Sequence, residues 1–222
     1  MEKLPDAVIF DMDGLLFDSE ALYRDAILVA ARALGHPFTV EDFLTLVGRP
    51  WSVNRAVVQA RIGPAGDVDA FHDAWLGAYE GMKAALALKA GVIELLDRLD
   101  SLRLPRAICT SSLHADVADN LGLHGLAGRF DAVIASGDYA RGKPAPDPFL
   151  RAAEVLGVSP GACLALEDSH NGVRAAAAAG MWTIMVPDLL PATEEISGLC
   201  FRVSPDLHDV AALLGRLAGR MA

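Results

Sequence analysis

Two aspartates close a hydrophobic run near the start of the chain. In DAVIFDMDGLLFDSE, residues 6–20, Ala7 to Phe10 are apolar and mostly β-favouring, and Asp11, Asp13 and Gly14 follow at once. A carboxylate at the end of a buried strand risks desolvation, which disfavours its charged form. A cation beside it offsets that cost. Held ionised in this way, Asp11 is a candidate nucleophile toward phosphorus, since carboxylates form covalent aspartyl-phosphate intermediates. Asp13 lies two residues on, and in extended geometry both side chains leave the same face. There it can protonate a leaving oxygen and then deprotonate an attacking water. Gly14 permits backbone conformations closed to other residues and a close approach of a ligand.

Three other stretches carry groups of matching chemistry. In Thr110-Ser111-Ser112, Thr110 can offer a hydroxyl and Ser111 a backbone N–H to phosphoryl oxygens. Ser136-Gly137-Asp138 runs on into Arg141-Gly142-Lys143-Pro144, where Lys143 is a compact positive charge able to pair with both nucleophile and phosphate. Glu167-Asp168-Ser169 adds further carboxylates. Carboxylates gathered together repel and take up protons unless a cation neutralises them. Mg²⁺ meets this need: it prefers oxygen ligands, keeps several waters and requires one or two protein carboxylates. Asp11 with Asp168 suffice, and the carbonyl of Asp13 is a third candidate ligand. Each stretch alone has a plainer reading. The Asp-x-Asp pair can arise by chance or bind metal as in glycosyltransferases. The serine-bearing stretches can be helix N-caps, and Lys143 a solvated loop charge. Their agreement is the signal.

The elements that position these groups alternate. Residues 6–10 read as a strand and 20–34 as a helix stopped by Gly35. From there to Lys83 the apolar spacing is helical, broken at His36-Pro37, Gly48-Arg49-Pro50 and Ile62-Gly63-Pro64. Strands are then expected at 106–109, 130–135, 163–166 and 182–186, and helices at 91–99, 115–121, 148–156 and 171–179. Strands separated by helices imply parallel pairing through right-handed crossovers. The expected fold is therefore α/β, a doubly wound Rossmann-like parallel sheet, with residues 1–17 and 87–222 forming the core and 18–86 a helical insert. All four polar stretches fall at carboxyl ends of strands, where such sheets bind ligands.

Composition narrows the function classes. The chain has 222 residues, 53 % of them hydrophobic, enough for a real core. A formal net charge of −10 and no basic face argue against nucleic acid and leave small phosphorylated metabolites open, given a bound cation. No apolar run reaches the length of a membrane span. MEKLPDAVIF lacks a basic region followed by a long apolar segment, so no secretory signal is expected. Cys109, Cys163 and Cys200 lack metal-ligand spacing and suit a reduced compartment, so a cytoplasmic protein is expected, a monomer or weak homodimer. The histidines read as surface, cap or structural residues, with His170 in a loop; the alanines of 175–179 read as close packing.

DMDGLLFDSE, CTSS, GKPAPDPF and LALEDSHNGV, in that order, resemble the four motifs of the haloacid dehalogenase superfamily, with the spacing of its phosphatase and phosphomutase branch. The resemblance covers nearly the whole chain. It implies Asp11 as nucleophile, Asp13 as acid/base, Thr110 and Lys143 as phosphate-binding residues, and Asp168 supported by Glu167 as the metal-binding acidic motif. It also implies that the helical insert is a small cap. Residues 46–50 of that cap are the expected substrate loop, with Arg49 placed to bind a second anionic group and Trp51 a packing residue. The superfamily's dehalogenases usually carry another residue at the place of Asp13, so a carbon–halogen substrate is not expected. The implied activity is a Mg²⁺-dependent phosphomonoester hydrolase acting on a sugar phosphate or phosphoglycolate-like compound. The alternatives are a sugar phosphomutase and a non-catalytic phospho-accepting module. β-Phosphoglucomutases carry a histidine and an arginine where a gapless alignment puts Tyr23 and Trp51, which lowers the mutase reading, although Arg49 takes the arginine's place if the loop register shifts. A cap-sized insert argues against a signalling module.

Overall fold

The computed structural model describes residues 3–49 and 51–219. The chain divides into two compact units, one formed by Met1–Phe17 with Leu88–Ala222 and the other by Asp18–Ala87. The first strand, β1 (Ala7–Phe10), is buried along its whole length. Such a continuous apolar strand belongs in a sheet covered on both faces.

The second unit is helical: α1 (Ser19–Ala33), α2 (Val40–Leu44), α3 (Trp51–Ile62) and α4 (Val68–Met82). Thr39 starts α2 with a capping box, its hydroxyl accepting from Asp42 N while its own N–H donates to Asp42 Oδ2 at 2.8 Å. Asp67 caps α4 by accepting from Asp69 N and Ala70 N. Phe43, Val58, Phe71, Trp75 and Tyr79 are buried and form its apolar interior. Trp75 Nε1 donates to Tyr23 O at 2.9 Å, and the Tyr23 and Tyr79 rings stack 3.9 Å apart.

The rest of the first unit runs α5 (Val92–Leu102), β2 (Arg106–Cys109), α6 (His114–Leu123), β3 (Ala132–Ile134), α7 (Asp147–Leu156), β4 (Cys163–Glu167), α8 (His170–Ala178), β5 (Trp182–Met185), α9 (Glu194–Leu199), β6 (Arg202–Val203) and α10 (Leu207–Gly219). All strand pairs are parallel and the order is β3-β2-β1-β4-β5-β6. This is the expected doubly wound α/β sheet. The chain leaves β1 toward β2 and β3, then crosses back to lay β4 on the other side of β1. The strand order reverses there, and crevices for ligands open at such points. Small residues let the helices approach closely: Ala152 and Ala153 of α7 and Ala175 and Ala176 of α8 pack on Ala7, Ile9, Ala107 and Ala165.

Three elements past Val186, α9, β6 and α10, have no counterpart among the expected ones. Leu207, Val210, Ala211, Leu214 and Leu217 do lie at helical spacing and are buried, so α10 was legible in principle. A strand of two residues has no readable period. His170 opens α8 instead of lying in a loop, because Ser169 Oγ accepts from Gly172 N at 3.1 Å and starts the helix one residue earlier. No helix among the described residues is long and apolar enough to cross a membrane.

Candidate active site

β1 and β4 are neighbours, with Phe10 opposite Leu166. Asp11 N donates to Leu166 O at 2.9 Å, so Asp11 and Glu167 leave the sheet side by side. Glu167 is fully buried and Asp11 and Asp168 nearly so. One carboxylate oxygen from each of the three lies within 4.8 Å of the other two. Into this group reaches Lys143, from the loop between β3 and α7. Its Nζ is 2.5 Å from Asp11 Oδ1, 2.5 Å from Glu167 Oε1 and 2.9 Å from Cys109 O. An ammonium has three N–H donors, and all three are taken. Nζ also lies 5.1 Å from the centre of the Phe149 ring, which favours a cation.

Burial works against the Lys143 ammonium, but the Asp11 and Glu167 carboxylates outweigh it and hold the group well above the usual lysine range. Burial pushes the Asp11 carboxyl well above the usual carboxylate range; Lys143 counters that push, and Glu167 and Asp13 reinforce it. One ammonium thus faces three buried carboxylates. Hard oxygen donors with excess negative charge fit a hard divalent cation such as Mg²⁺. The donors are not equivalent. Glu167 Oε2 accepts from Ser169 N at 3.2 Å and Ser169 Oγ at 3.1 Å, so both of its oxygens already hold protein donors.

Asp13 lies beside this group. Its Oδ2 accepts from Ser112 Oγ at 2.7 Å. Thr110 is buried, and its Oγ1 accepts from Ser112 N at 3.1 Å. Tyr139 OH donates to Thr110 O at 3.1 Å, and Ser111 is exposed. The Thr110–Ser112 stretch does not cap α6: the cap position is Leu113, whose N–H donates to Asp116 Oδ2 at 3.2 Å. Ser169, by contrast, caps α8 while Glu167 holds Lys143, so the plainer reading and the chemical one coexist there.

The fold therefore brings Asp11, Lys143, Glu167 and Asp168 together, with Asp13, Thr110 and Ser111 on adjoining loops. Arg49 belongs to the helical unit. It is exposed and lines a cavity of about 280 Å³ with Glu20, Tyr23, Trp51, His72 and Trp75. Trp51 lines that cavity and also packs, stacked on His72 at 3.8 Å. Pro50 of the expected substrate loop lies outside the described residues.

Some contributors carried no distinct sequence signal. Nothing local separates Ser112 from its neighbours as the donor to Asp13, and the carbonyl of Cys109 is invisible in any motif. Gly172 of α8 matters for what it lacks, since a Cβ there would run into the Glu167 carboxylate.

Known proteins share this arrangement of chain. Residues 5–180 match the haloacid dehalogenase-like hydrolases. The protein CbbY of Rhodobacter capsulatus is 35 % identical over 216 residues, covering 92 % of this chain and 95 % of that one. The fructose-1-phosphate phosphatase YqaB of Escherichia coli is 34 % identical over 178 residues, covering 78 % and 92 %. The crystal structure of CbbY from Rhodobacter sphaeroides in complex with phosphate matches with a TM-score of 0.78 at 27 % identity, over 93 % of this chain and 96 % of that one. The family match over most of the chain and the 35 % identity to CbbY show that the chain belongs to the haloacid dehalogenase-like hydrolase family.

Proposed function

We propose that this protein is a Mg²⁺-dependent phosphomonoester hydrolase acting on a small organic phosphate, a sugar phosphate or phosphoglycolate-like compound, through an aspartyl-phosphate on Asp11. The observation that carries the reading is the buried contact of Lys143 Nζ with Asp11 Oδ1, at 2.5 Å, beside Glu167 and Asp168 at the reversal of strand order. A relative named as a fructose-1-phosphate phosphatase supports the substrate class.

In this mechanism Asp11 attacks phosphorus and takes up the phosphoryl group. Asp13, oriented by Ser112, donates a proton to the leaving oxygen and then takes one from the water that releases phosphate. The Thr110 hydroxyl and the Ser111 N–H bind phosphoryl oxygens, and Lys143 balances the charge that develops there. Asp11, Asp168 and the carbonyl of Asp13 would hold the cation, with Glu167 behind them fixing Lys143. A Mg²⁺ held there would supply charge neutralisation at the phosphoryl group. Residues 18–86 serve as a cap that excludes water and holds the leaving group, with Arg49 binding a second anionic group of the substrate. Three cysteines present as free thiols accord with a cytoplasmic setting. Tyr23, stacked on Tyr79, offers no imidazole where a mutase carries one, so the hydrolase is preferred.

The test is phosphate release from a panel of sugar phosphates, phosphoglycolate and nucleotides, with Mg²⁺ and with chelator, by wild type and Asp11→Asn. Metal-dependent release lost in the variant is expected. Release that survives either chelator or the substitution overturns the mechanism.

A further inference from the structure

The loop after β5 carries a carboxylate, Asp188, outside the group described above. Asp188 Oδ1 accepts from Lys89 Nζ at 2.7 Å, and the Asp188 side chain is only 8 % exposed. Its other oxygen, Oδ2, is buried and receives no hydrogen bond among the described residues. Unpartnered buried acceptors are uncommon, because lost hydration goes uncompensated. Oδ2 lies close to Gly14. A Cβ built on Gly14 would collide with Asp168 Oδ2 and lie 3.2 Å from Asp188 Oδ2. Asp168 and Asp188 thus address one small space from two strand ends, and it stays open because residue 14 has no side chain. Gly14 also has a φ of +80°, a conformation that favours glycine. Asp188 stands outside the three carboxylates that share a 4.8 Å sphere, which makes it an outer partner and not a direct ligand.

We infer that Asp188 is a positioning residue for the cation: Oδ2 accepts a hydrogen bond from the water shell of a Mg²⁺ held by Asp11 and Asp168, and Lys89 fixes the orientation of the carboxylate. Mg²⁺ gives up its waters reluctantly, so a second layer of acceptors around those waters adds to binding. Removing outer partners of this kind weakens metal affinity by about 10- to 100-fold. The inference rests on the metal proposed above.

The experiment is calorimetric titration of Mg²⁺ alone into wild type and Asp188→Asn, with melting curves of both in chelator. The expected result is a Kd raised about tenfold or more in Asp188→Asn, with the metal-free melting temperature unchanged or higher. An unchanged Kd beside a lowered metal-free melting temperature would make Asp188 a fold anchor for Lys89 and overturn the inference. A wild type that takes up no Mg²⁺ overturns the metal reading itself, so the two failures are distinct. Should Asp188→Asn not fold, Lys89→Gln is titrated instead: weakened Mg²⁺ binding is expected, and wild-type binding overturns the inference.

Discussion

Ser112 Oγ donates to Asp13 Oδ2 across 2.7 Å, tying the loop after β2 to the loop after β1. An acid/base carboxylate must point at the reacting oxygen, and this bond sets its direction. Ser112→Ala is expected to lower kcat about tenfold, the value of one hydrogen bond to a charged group. Asp13→Asn is expected to lower it by about 10²–10⁴. Steady-state kinetics with the best substrate checks both. Equal turnover in Ser112→Ala and wild type would remove Ser112 from the mechanism.

Lys143 is committed to Asp11 and Glu167, so Asp168→Asn lowers the excess of buried negative charge without touching those contacts. In chelator the variant is expected to melt about 2–4 °C above wild type, the shift that follows from roughly 1 kcal/mol in a chain of this size. The rise in melting temperature that Mg²⁺ gives wild type should be lost. A rise of undiminished size in Asp168→Asn would mean that the cation binds elsewhere.

Gly172→Ala sets two effects against each other. In a helix alanine is favoured over glycine by about 0.8–1 kcal/mol. Here the added Cβ would enter the buried Glu167 carboxylate, which holds Lys143. Overpacking of this kind costs about 1–3 kcal/mol, so net destabilisation and reduced phosphate release are expected. Denaturant unfolding decides the sign, and a more stable, fully active variant would contradict the geometry.

The thiols give a pH prediction. Burial pushes Cys109 up to about 12, against the pull of Lys143, and pushes Cys163 up to about 11. Both should resist a thiol reagent at pH 8, leaving half-buried Cys200 to react first. For Cys109 the native chain keeps a proton that the unfolded chain releases at its ordinary value of 9.0. The unfolded state then binds fewer protons, so this contribution to stability is complete below pH 9 and is lost as pH rises toward about 12. Cys109→Ala should therefore show a shallower fall of stability with pH above 9. Identical slopes in variant and wild type would refute it.

The alternation of strands and helices up to Val186, the parallel sheet and the placing of polar residues at strand ends were legible without coordinates. Apolar periods and turn residues are local properties of the chain, and they determine where each element starts and stops. The sequence by itself also marked Asp11, Lys143 and Asp168 as candidate site residues gathered beyond strand ends. It did not determine who meets whom. Lys143 reaches Asp11 across 132 positions and Ser112 reaches Asp13 across 99. Those meetings depend on β2 lying against β1 and on the loop after β3 carrying Lys143 back to the end of β1. That Glu167 holds Lys143 with one oxygen and Ser169 with the other, and that Gly14 and Gly172 keep space open for Asp168 and Glu167, was decided only by tertiary structure. Strand order and close packing arise from contacts between distant segments, and no local pattern of residue types encodes which segments become neighbours.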